Sequence, residues 1–331
     1  MWPEACRATA TLIGEGYGPL LKAAGNLTVE GAWHRMRAHS WWYGEGGIAC
    51  FALSAMDIAL WDIEGKIAGK PLFQLLGGKK VERLKACASS HVNKATLEEC
   101  VEEVAGFVSA GFRSVKLGFA KKGLSQIGRD PDLDVRFIAA LRARLGESIE
   151  ILVDAGNGVR WEIETAIRTV SRMQEQNIGW IEEPFYPSDI EAYRKLKSHV
   201  SVPIATGERE WTVTGYQRLM ETRTVDIVGI DPARAEGITG FRAIDQMAGK
   251  LGLKVNAHAW STAITTAASL HLSLASANTL LFELKPFPVA VQQELVTKPI
   301  SHDGGWVTIG DDSPGLGVEV REEIVRKYQI H

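Results

Sequence analysis

Three acidic residues in the middle of the chain each close a short apolar run. Asp154 follows Ile-Leu-Val, Glu182 follows Gly-Trp-Ile, and Glu208 follows Val-Pro-Ile-Ala-Thr-Gly. Converging carboxylates repel one another in a low-dielectric site unless a cation lies among them. Oxygen-only ligation favours Mg²⁺ over zinc or copper. Each acid could instead be a helix N-cap, but Glu is a poor N-cap. The spacing therefore predicts a magnesium site.

Other polar residues end later apolar runs in the same way. Asp231 follows Val-Gly-Ile, His258 follows Val-Asn-Ala, and Glu283 follows Leu-Leu-Phe. A lone histidine at a strand end is more often structural, but an aspartate on the neighbouring strand would fix its tautomer and raise its basicity. The pair predicts a general base facing a metal. Lys116 lies inside an apolar run, and we favour a side chain that points into the site over one that snorkels between helices.

Strand-like and helical segments alternate from residue 84 onward, which predicts a TIM-type (β/α)7β barrel with its last helix replaced or shortened. The predicted strands lie near 85–90, 113–118, 150–154, 178–182, 203–207, 226–230, 253–257 and 280–283. The predicted helices lie near 96–110, 133–145, 161–175, 188–198, 213–221, 238–250 and 262–275.

A doubly wound open sheet is the alternative to the barrel. Such sheets bind ligands at one switch point, whereas six successive strands here each end in a candidate site residue. The chain also has no Gly-x-Gly-x-x-Gly after its first strand and no Walker lysine. The pattern favours a barrel that delivers its polar groups into one shared mouth.

Composition excludes several classes of partner. The 331 residues are 45% hydrophobic with a net charge of −3, which gives no reason to expect nucleic acid or an anionic membrane surface. No apolar run approaches the roughly 20 residues of a membrane span. The first residues lack the regions of a signal peptide, and the four cysteines lack metal-binding spacing. We expect a cytoplasmic protein with free thiols.

The regions outside the barrel predict a cap. Helical patterns cover 29–40 and 48–67, while 1–30 show no convincing strand. We expect 1–83 to form part of an α+β capping domain, 84–290 to form the barrel, and 291–331 to pack back on the cap. An aromatic loop, Trp41-Trp42-Tyr43, lies between the two helical patterns.

Three motifs resemble the mandelate racemase/muconate lactonizing enzyme family of the enolase superfamily, in its mandelate racemase subgroup. The first is the helix 52–66, Ala-Leu-Ser-Ala-Met-Asp-Ile-Ala-Leu-Trp-Asp-Ile-Glu-Gly-Lys. The second combines Val-Asp at 153–154, Trp-Ile-Glu-Glu-Pro at 180–184 and Gly-Glu at 207–208. The third combines Asp231, Gly-Ile-Thr-Gly at 237–240, and His258. The resemblance to the family extends over nearly the whole chain.

The resemblance implies Mg²⁺-assisted abstraction of the proton next to a carboxylate to give an enediolate. In the family, the positions of Asp154, Glu182 and Glu208 carry the metal ligands. Those of His258 and Asp231 form the catalytic dyad, Lys116 neutralises the substrate, and Glu283 hydrogen-bonds the substrate carboxylate when protonated. The resemblance also implies a small sugar-acid substrate and a homo-oligomer, a dimer or an octamer.

One departure from the family pattern bears on the reaction. Many members have Lys-x-Lys on strand 2, whereas here Lys116 is followed by Leu117-Gly118, so the base for the opposite face of the substrate is missing. We therefore favour dehydration of a sugar acid over racemisation or epimerisation. Lys121 or Lys122 in the following loop could replace that base. A cycloisomerase of the muconate type would require a lysine on strand 6. That strand ends at Asp231, and no lysine lies next to it.

Two further departures concern substrate binding. The asparagine that usually lies two residues after the first ligand is displaced to Asn157. Family members have a β-rich capping segment before the position where Met1 falls, so either the start is misassigned or the cap is truncated. The aromatic loop of Trp41, Trp42 and Tyr43 would then carry more of the specificity, or else serve interdomain packing. The short cap also raises the alternative of a non-catalytic, metal-binding barrel.

Overall fold

The computed structural model describes residues 3–120, 123–156, 158–159, 161–310 and 312–329. Within these ranges no helix is both long and apolar enough to cross a membrane. All four cysteines are free thiols, as predicted.

Eight parallel strands form the barrel in the order β7-β6-β5-β4-β3-β2-β1-β8. A bridge between Val255 and Thr279 links β7 to the segment that enters β8, so the sheet is nearly closed. A ninth strand pairs antiparallel with β1. The strands are β1 (Leu84–His91), β2 (Ser114–Gly118), β3 (Glu150–Asp154), β4 (Trp180–Glu182), β5 (Ile204–Thr206), β6 (Ile227–Ile230), β7 (Lys254–Ala257), β8 (Phe282–Leu284) and β9 (Trp306–Val307).

Within the described residues, seven helices connect the eight barrel strands, which confirms the predicted (β/α)7β barrel and each of its predicted elements to within a few residues. These helices are α6 (Leu97–Ser109), α7 (Pro131–Leu145), α8 (Ile163–Gln174), α9 (Ile190–Lys197), α10 (Val213–Glu221), α11 (Gly237–Lys250) and α12 (Ala263–Leu274). The remaining helices are α1 (Pro3–Thr11), α2 (Gly18–Ala24), α3 (Val29–His39), α4 (Ile48–Ala68), α5 (Leu72–Leu75), α13 (Ala290–Gln293) and α14 (Glu322–Tyr328).

Alternate strand residues point into the barrel and fill its interior in layers. One buried apolar cluster forms a floor below the polar residues. Because the side-chain period of a strand is two, the residues two positions further along each strand rise above this floor towards the mouth. The floor residues are Cys87, Leu152, Trp180, Ala205, Ile227 and Leu281.

Residues 3–24 are helical, although the sequence indicated no element there. α1 and α2 are joined by a π-helical segment, Leu12–Tyr17. Tyr17 is fully buried against Trp33, Met36 and Leu53. Leu12, Ile13, Leu20 and Leu21 pack against the same cluster, so tertiary packing of Tyr17 and these residues stabilises the segment.

The C-terminal tail packs against the N-terminal region, as expected. The backbone N–H of Leu72 donates to the carbonyl of Gly315 at 2.8 Å, and the N–H of Leu316 donates to Asp62 Oδ1 at 2.8 Å. The proposed domain boundaries at 83/84 and 290/291 remain a prediction.

Asp57 joins the cap to the barrel. It lies on α4, is fully buried, and accepts hydrogen bonds from the N–H (2.9 Å) and the hydroxyl (2.7 Å) of Thr239 at the start of α11. Gly237 begins α11 with a positive φ of 80°, and a Cβ there would collide with the Asp57 carboxylate. An acid of the cap therefore caps a barrel helix, where the helix dipole favours it.

This junction predicts a pH dependence of stability. Burial raises the pKa of the Asp57 carboxyl from 3.8 to about 7, against the opposing hydrogen bonds of Thr239. The folded state then holds a proton that the unfolded chain releases, so stability falls as pH rises through this window. We expect the wild type to lose roughly 1.4 kcal/mol of unfolding free energy per pH unit there relative to Asp57→Asn.

Urea unfolding of both proteins between about pH 5 and pH 7 measures this difference. Glu64→Gln, on the exposed face of the same helix, is the matched control and should run parallel to the wild type. A difference between wild type and Asp57→Asn that is independent of pH would contradict the role given to Asp57.

Candidate active site

A cavity of about 380 Å³ opens at the carboxyl ends of the barrel strands. Its residues come from β1, β2 and β3 and from the loops that follow β5 and β7. This size is within the usual range for small-molecule sites. The lining residues are Ser89, Ser90, His91, Lys116, Asp154, Glu208, His258 and Trp260.

The three candidate ligands come from neighbouring strands. Asp154 ends β3, Glu182 ends β4, and the two are direct partners in the parallel register. Glu208 lies two residues beyond β5, after Gly207 with a φ of 133°. A Cβ on Gly207 would lie 2.6 Å from the carbonyl oxygen of Gly229, so only glycine permits this turn.

Lys116 points into the barrel and is 3% exposed, as we favoured from the sequence. Its Nζ lies 3.0 Å from Glu182 Oε2 and 2.8 Å from Glu283 Oε1. Burial disfavours the ammonium, but the charges of Glu182 and Glu283 outweigh it and hold the pKa of Lys116 well above its usual value. Lys116 is therefore a fixed positive charge between β4 and β8.

The surroundings of Glu182 destabilise its ionised carboxylate. Burial raises the pKa of its carboxyl above the usual value; Lys116 opposes this, and the charge of Asp154 adds to it. The floor residue Trp180 donates its indole N–H to Glu182 Oε2 at 3.1 Å. The Lys116 ammonium and the Trp180 indole N–H together do not neutralise the carboxylates of this mouth. A bound divalent cation would neutralise more of their charge.

His258 and Asp231 form a dyad. His258 Nδ1 lies 2.7 Å from Asp231 Oδ2, and Nε2 faces Glu208 Oε2 at 3.4 Å. The Asp231 contact directs Nδ1 towards the aspartate and leaves Nε2 on the cavity side. Burial opposes protonation of the ring, yet Glu208 and Asp231 together raise the pKa of His258 to about 9.

Glu283 occupies β8 and is 1% exposed. Its Oε1 accepts from Lys116 and from Asn256 Nδ2, the latter at 2.5 Å. Within the described residues, Glu283 Oε2 and Asn256 Oδ1 are buried and have no hydrogen-bond partner. Buried polar atoms of this kind are uncommon in folded proteins and often mark a ligand position.

The chemistry of the three carboxylates fits Mg²⁺. All the candidate donors are oxygens, and their repulsion is relieved by a hard divalent cation. In the described part of the chain, no three His, Cys, Asp or Glu side chains are arranged as a finished ligand set. Both oxygens of Glu182 contact Lys116, so ligation requires its carboxylate to reorient.

Glu183, the residue after Glu182, braces the segment that carries Glu208. It is 1% exposed and has a strained φ of 44°. Its Oε1 accepts from the Thr206 hydroxyl (3.3 Å) and the Gly207 N–H (3.4 Å), and its Oε2 accepts from Arg209 Nε (2.5 Å). These contacts hold the chain on both sides of Glu208 and indicate a positioning role.

A wall of the cavity was not predicted from the sequence. The Trp260 indole N–H donates to Ser89 Oγ at 2.8 Å, and its ring stacks on His91 with centroids 4.6 Å apart. Ser89 is the register partner of Lys116, so both side chains point inward. Trp260 could have been proposed from the sequence because it lies two residues after His258. Its contact with β1 could not, because that contact joins residues far apart in the chain.

The remaining sequence candidates lie elsewhere. Trp41, Trp42 and Tyr43 are 65%, 85% and 53% exposed and do not line the cavity. Trp41 and Trp42 pack edge to face against each other. Lys121, Lys122 and Asn157 lie outside the described residues, and their proposed roles in substrate binding stay predictions.

Two family models match the chain. The model described as mandelate racemase/muconate lactonizing enzyme, N-terminal domain, matches residues 8–77, and the model described as enolase C-terminal domain-like matches residues 99–324. The second model alone spans more than half of the chain.

Several characterised proteins are similar over most of their length. Arabinonate dehydratase of Saccharolobus solfataricus is 30% identical over 94% of this chain and 81% of its own. L-Talarate/galactarate dehydratase of Salmonella typhimurium is 32% identical over 87% of this chain and 67% of its own.

A solved structure supports the same relationship. The 3,6-anhydro-D-galactonate cycloisomerase of Zobellia galactanivorans has a TM-score of 0.84 and 29% identity, covering 96% of this chain and 88% of its own. Both sequence motifs and fold therefore agree with the family models. The chain belongs to the mandelate racemase/muconate lactonizing enzyme family of the enolase superfamily.

Proposed function

We propose that this protein is a Mg²⁺-dependent sugar-acid dehydratase, a hydro-lyase that removes water across C2 and C3 of a hydroxy acid. The observation that carries the proposal is the His258–Asp231 dyad, whose Nε2 faces the carboxylate mouth while Nδ1 is held at 2.7 Å by Asp231. The dehydratases among the relatives support a substrate of this class.

Four residues of the mouth have separate roles in the proposed reaction. His258 Nε2 takes the proton from the carbon next to the carboxylate and later returns it to the departing β-hydroxyl, so that water leaves. Asp231 stabilises the imidazolium formed in between. Lys116 provides positive charge beside the enediolate oxygens, and Glu283 Oε2 is the buried polar atom that would contact the substrate carboxylate.

Asp154, Glu182 and Glu208 would hold Mg²⁺. The metal, when bound, supplies Lewis-acid stabilisation of the negative charge that develops on the carboxylate, a contribution of several kcal/mol.

The alternatives differ in what they require. Racemisation or epimerisation needs a base on each face of the substrate, and β2 ends in Gly118, where the family resemblance would imply a second lysine. The cycloisomerase among the structural relatives supports an isomerase as the runner-up. A non-catalytic barrel is disfavoured because the dyad, the three acids and Lys116 are all present.

A panel of mono- and dicarboxylic sugar acids, incubated with the Mg²⁺-loaded protein, tests the proposal. Formation of 2-keto-3-deoxy acids supports dehydration. Epimerised acids or lactones, detected by NMR in the same mixtures, would replace dehydration by the isomerase alternatives. No conversion and no binding of any sugar acid would contradict an enzyme of this class.

Replacement of the base should abolish turnover of the best substrate. We expect His258→Asn to lower kcat by about 10²- to 10⁴-fold, since general base catalysis typically contributes that much. The assay is the rate of 2-keto-3-deoxy product formation. His199→Asn, an exposed histidine at the end of α9, is the matched control and should retain full activity; wild-type turnover by His258→Asn would rule out the assignment.

Loss of the brace at Glu183 should weaken metal binding. We expect Glu183→Gln to raise the Kd for Mg²⁺ about 10- to 100-fold, because partners that orient ligands are typically worth that much. Titration calorimetry with Mg²⁺ measures this without any substrate. Glu175→Gln, an exposed acid just after α8, serves as control. An unchanged Kd in Glu183→Gln would show that Glu208 needs no brace.

A further inference from the structure

A second basic side chain lies at the barrel mouth, apart from Lys116. Lys285 follows β8 directly, two residues beyond Glu283. Its Nζ lies 4.6 Å from the centroid of the Trp260 ring, which also stacks on His91. We call His91, Trp260 and Lys285 the basic–aromatic rim.

The rim lies across the mouth from the metal carboxylates. Its three residues follow or end β7, β8 and β1, which are neighbours at one side of the barrel, while Asp154, Glu182 and Glu208 belong to β3, β4 and β5. His91 and Trp260 line the same 380 Å³ cavity as Asp154 and Glu208. A ligand that fills this cavity therefore contacts both sides.

Lys285 differs from the other cations of the mouth in the groups that its ammonium contacts. Lys116 contacts two carboxylates, and Arg209 contacts Glu183. In the part of the chain that the structure describes, the contact found for the half-buried Lys285 ammonium is the Trp260 ring, and burial alone lowers its pKa. An indole face compensates a desolvated cation less well than a carboxylate does, so this position favours an incoming anion.

Lys285 can also reach that anion. Its side chain lines a neighbouring cavity of about 280 Å³, and its Nζ lies over a ring that belongs to the wall of the active-site cavity. The four rotatable bonds of a lysine allow the ammonium to move along the indole towards the substrate while its stem stays packed.

We propose that the basic–aromatic rim is a subsite for a second carboxylate, so that the substrate class is a dicarboxylic sugar acid. This rests on the proposed function: one carboxylate binds at Lys116 and Glu283, and the distal carboxylate binds at Lys285. The Trp260 indole packs along the carbon chain, and the Ser89 hydroxyl, which accepts the indole N–H, retains its own proton for a substrate hydroxyl. The relatives include enzymes named for acids with one carboxylate and with two, so the comparisons leave this choice open.

The test compares matched acids. Galactarate, glucarate and mannarate are assayed against galactonate, gluconate and mannonate with the Mg²⁺-loaded wild type and with Lys285→Met, which keeps the apolar stem. We expect a diacid to be the best substrate, and Lys285→Met to lower the diacid/monoacid ratio of kcat/KM about 10- to 100-fold, mainly through the KM of the diacid.

Lys254→Met is the matched control, because this exposed lysine lies at the opposite, amino-terminal end of β7; it should keep the wild-type ratio. A monoacid as best substrate, or a ratio unchanged in Lys285→Met, overturns the subsite while leaving the dehydratase assignment intact. Epimerised acids or lactones in place of 2-keto-3-deoxy products would instead overturn the dehydratase assignment alone.

If no acid of the panel is converted, binding measurements test whether the rim holds a second carboxylate. Calorimetric titration of the Mg²⁺-loaded protein with the same six acids then provides the readout. Tighter binding of diacids that is lost in Lys285→Met supports the subsite. Equal binding of both classes, or a preference for diacids that Lys285→Met retains, contradicts it.

Discussion

The structure depends on the concentration of negative charge at one end of the barrel. Asp154, Glu182, Glu208 and Glu283 converge on a mouth in which Lys116 is the central ammonium. Burial and mutual repulsion raise the pKa of Glu182, and this cost is tolerable only where cations and donors are fixed in place. The same imbalance creates an affinity for a divalent metal and for the carboxylate-bearing substrate that accompanies it.

The remainder of the fold fixes these charges. An apolar floor that includes Trp180 lies beneath them, and its indole N–H also supports Glu182. Gly207 and the strained Glu183 set the turn that presents Glu208. Asp57 connects the helical cap to α11, the helix that follows the Asp231 strand. The strained Glu183 and the buried charges of the mouth thus lie where binding and catalysis can use them.

The barrel and the acids could be predicted because each strand is a local pattern that ends in one polar residue. β3 was predicted at its observed bounds, and Asp154, Glu182, Lys116, His258 and Asp231 converge as their spacing indicated. Contacts across the chain could not be predicted in this way.

The wall made by Trp260 and His91 joins residues that are far apart in sequence. The position of Lys285 on the indole likewise depends on barrel closure between β7, β8 and β1. The helices of residues 3–24 were not predicted because they are stabilised by packing of Tyr17 and neighbouring apolar residues against distant helices of the cap. The aromatic loop of Trp41 and Trp42 was proposed to contribute to substrate specificity. Its side chains are exposed and lie outside the cavity.

In the proposed reaction, His258, held by Asp231, removes the proton next to the carboxylate. The most direct measurement is exchange of the C2 proton of a bound sugar acid in D₂O, followed by NMR with the Mg²⁺-loaded wild type and with His258→Asn. We expect deuterium at C2 of the substrate or loss of the C2 proton in its product with the wild type, and neither with His258→Asn. Exchange that persists unchanged in His258→Asn would contradict it.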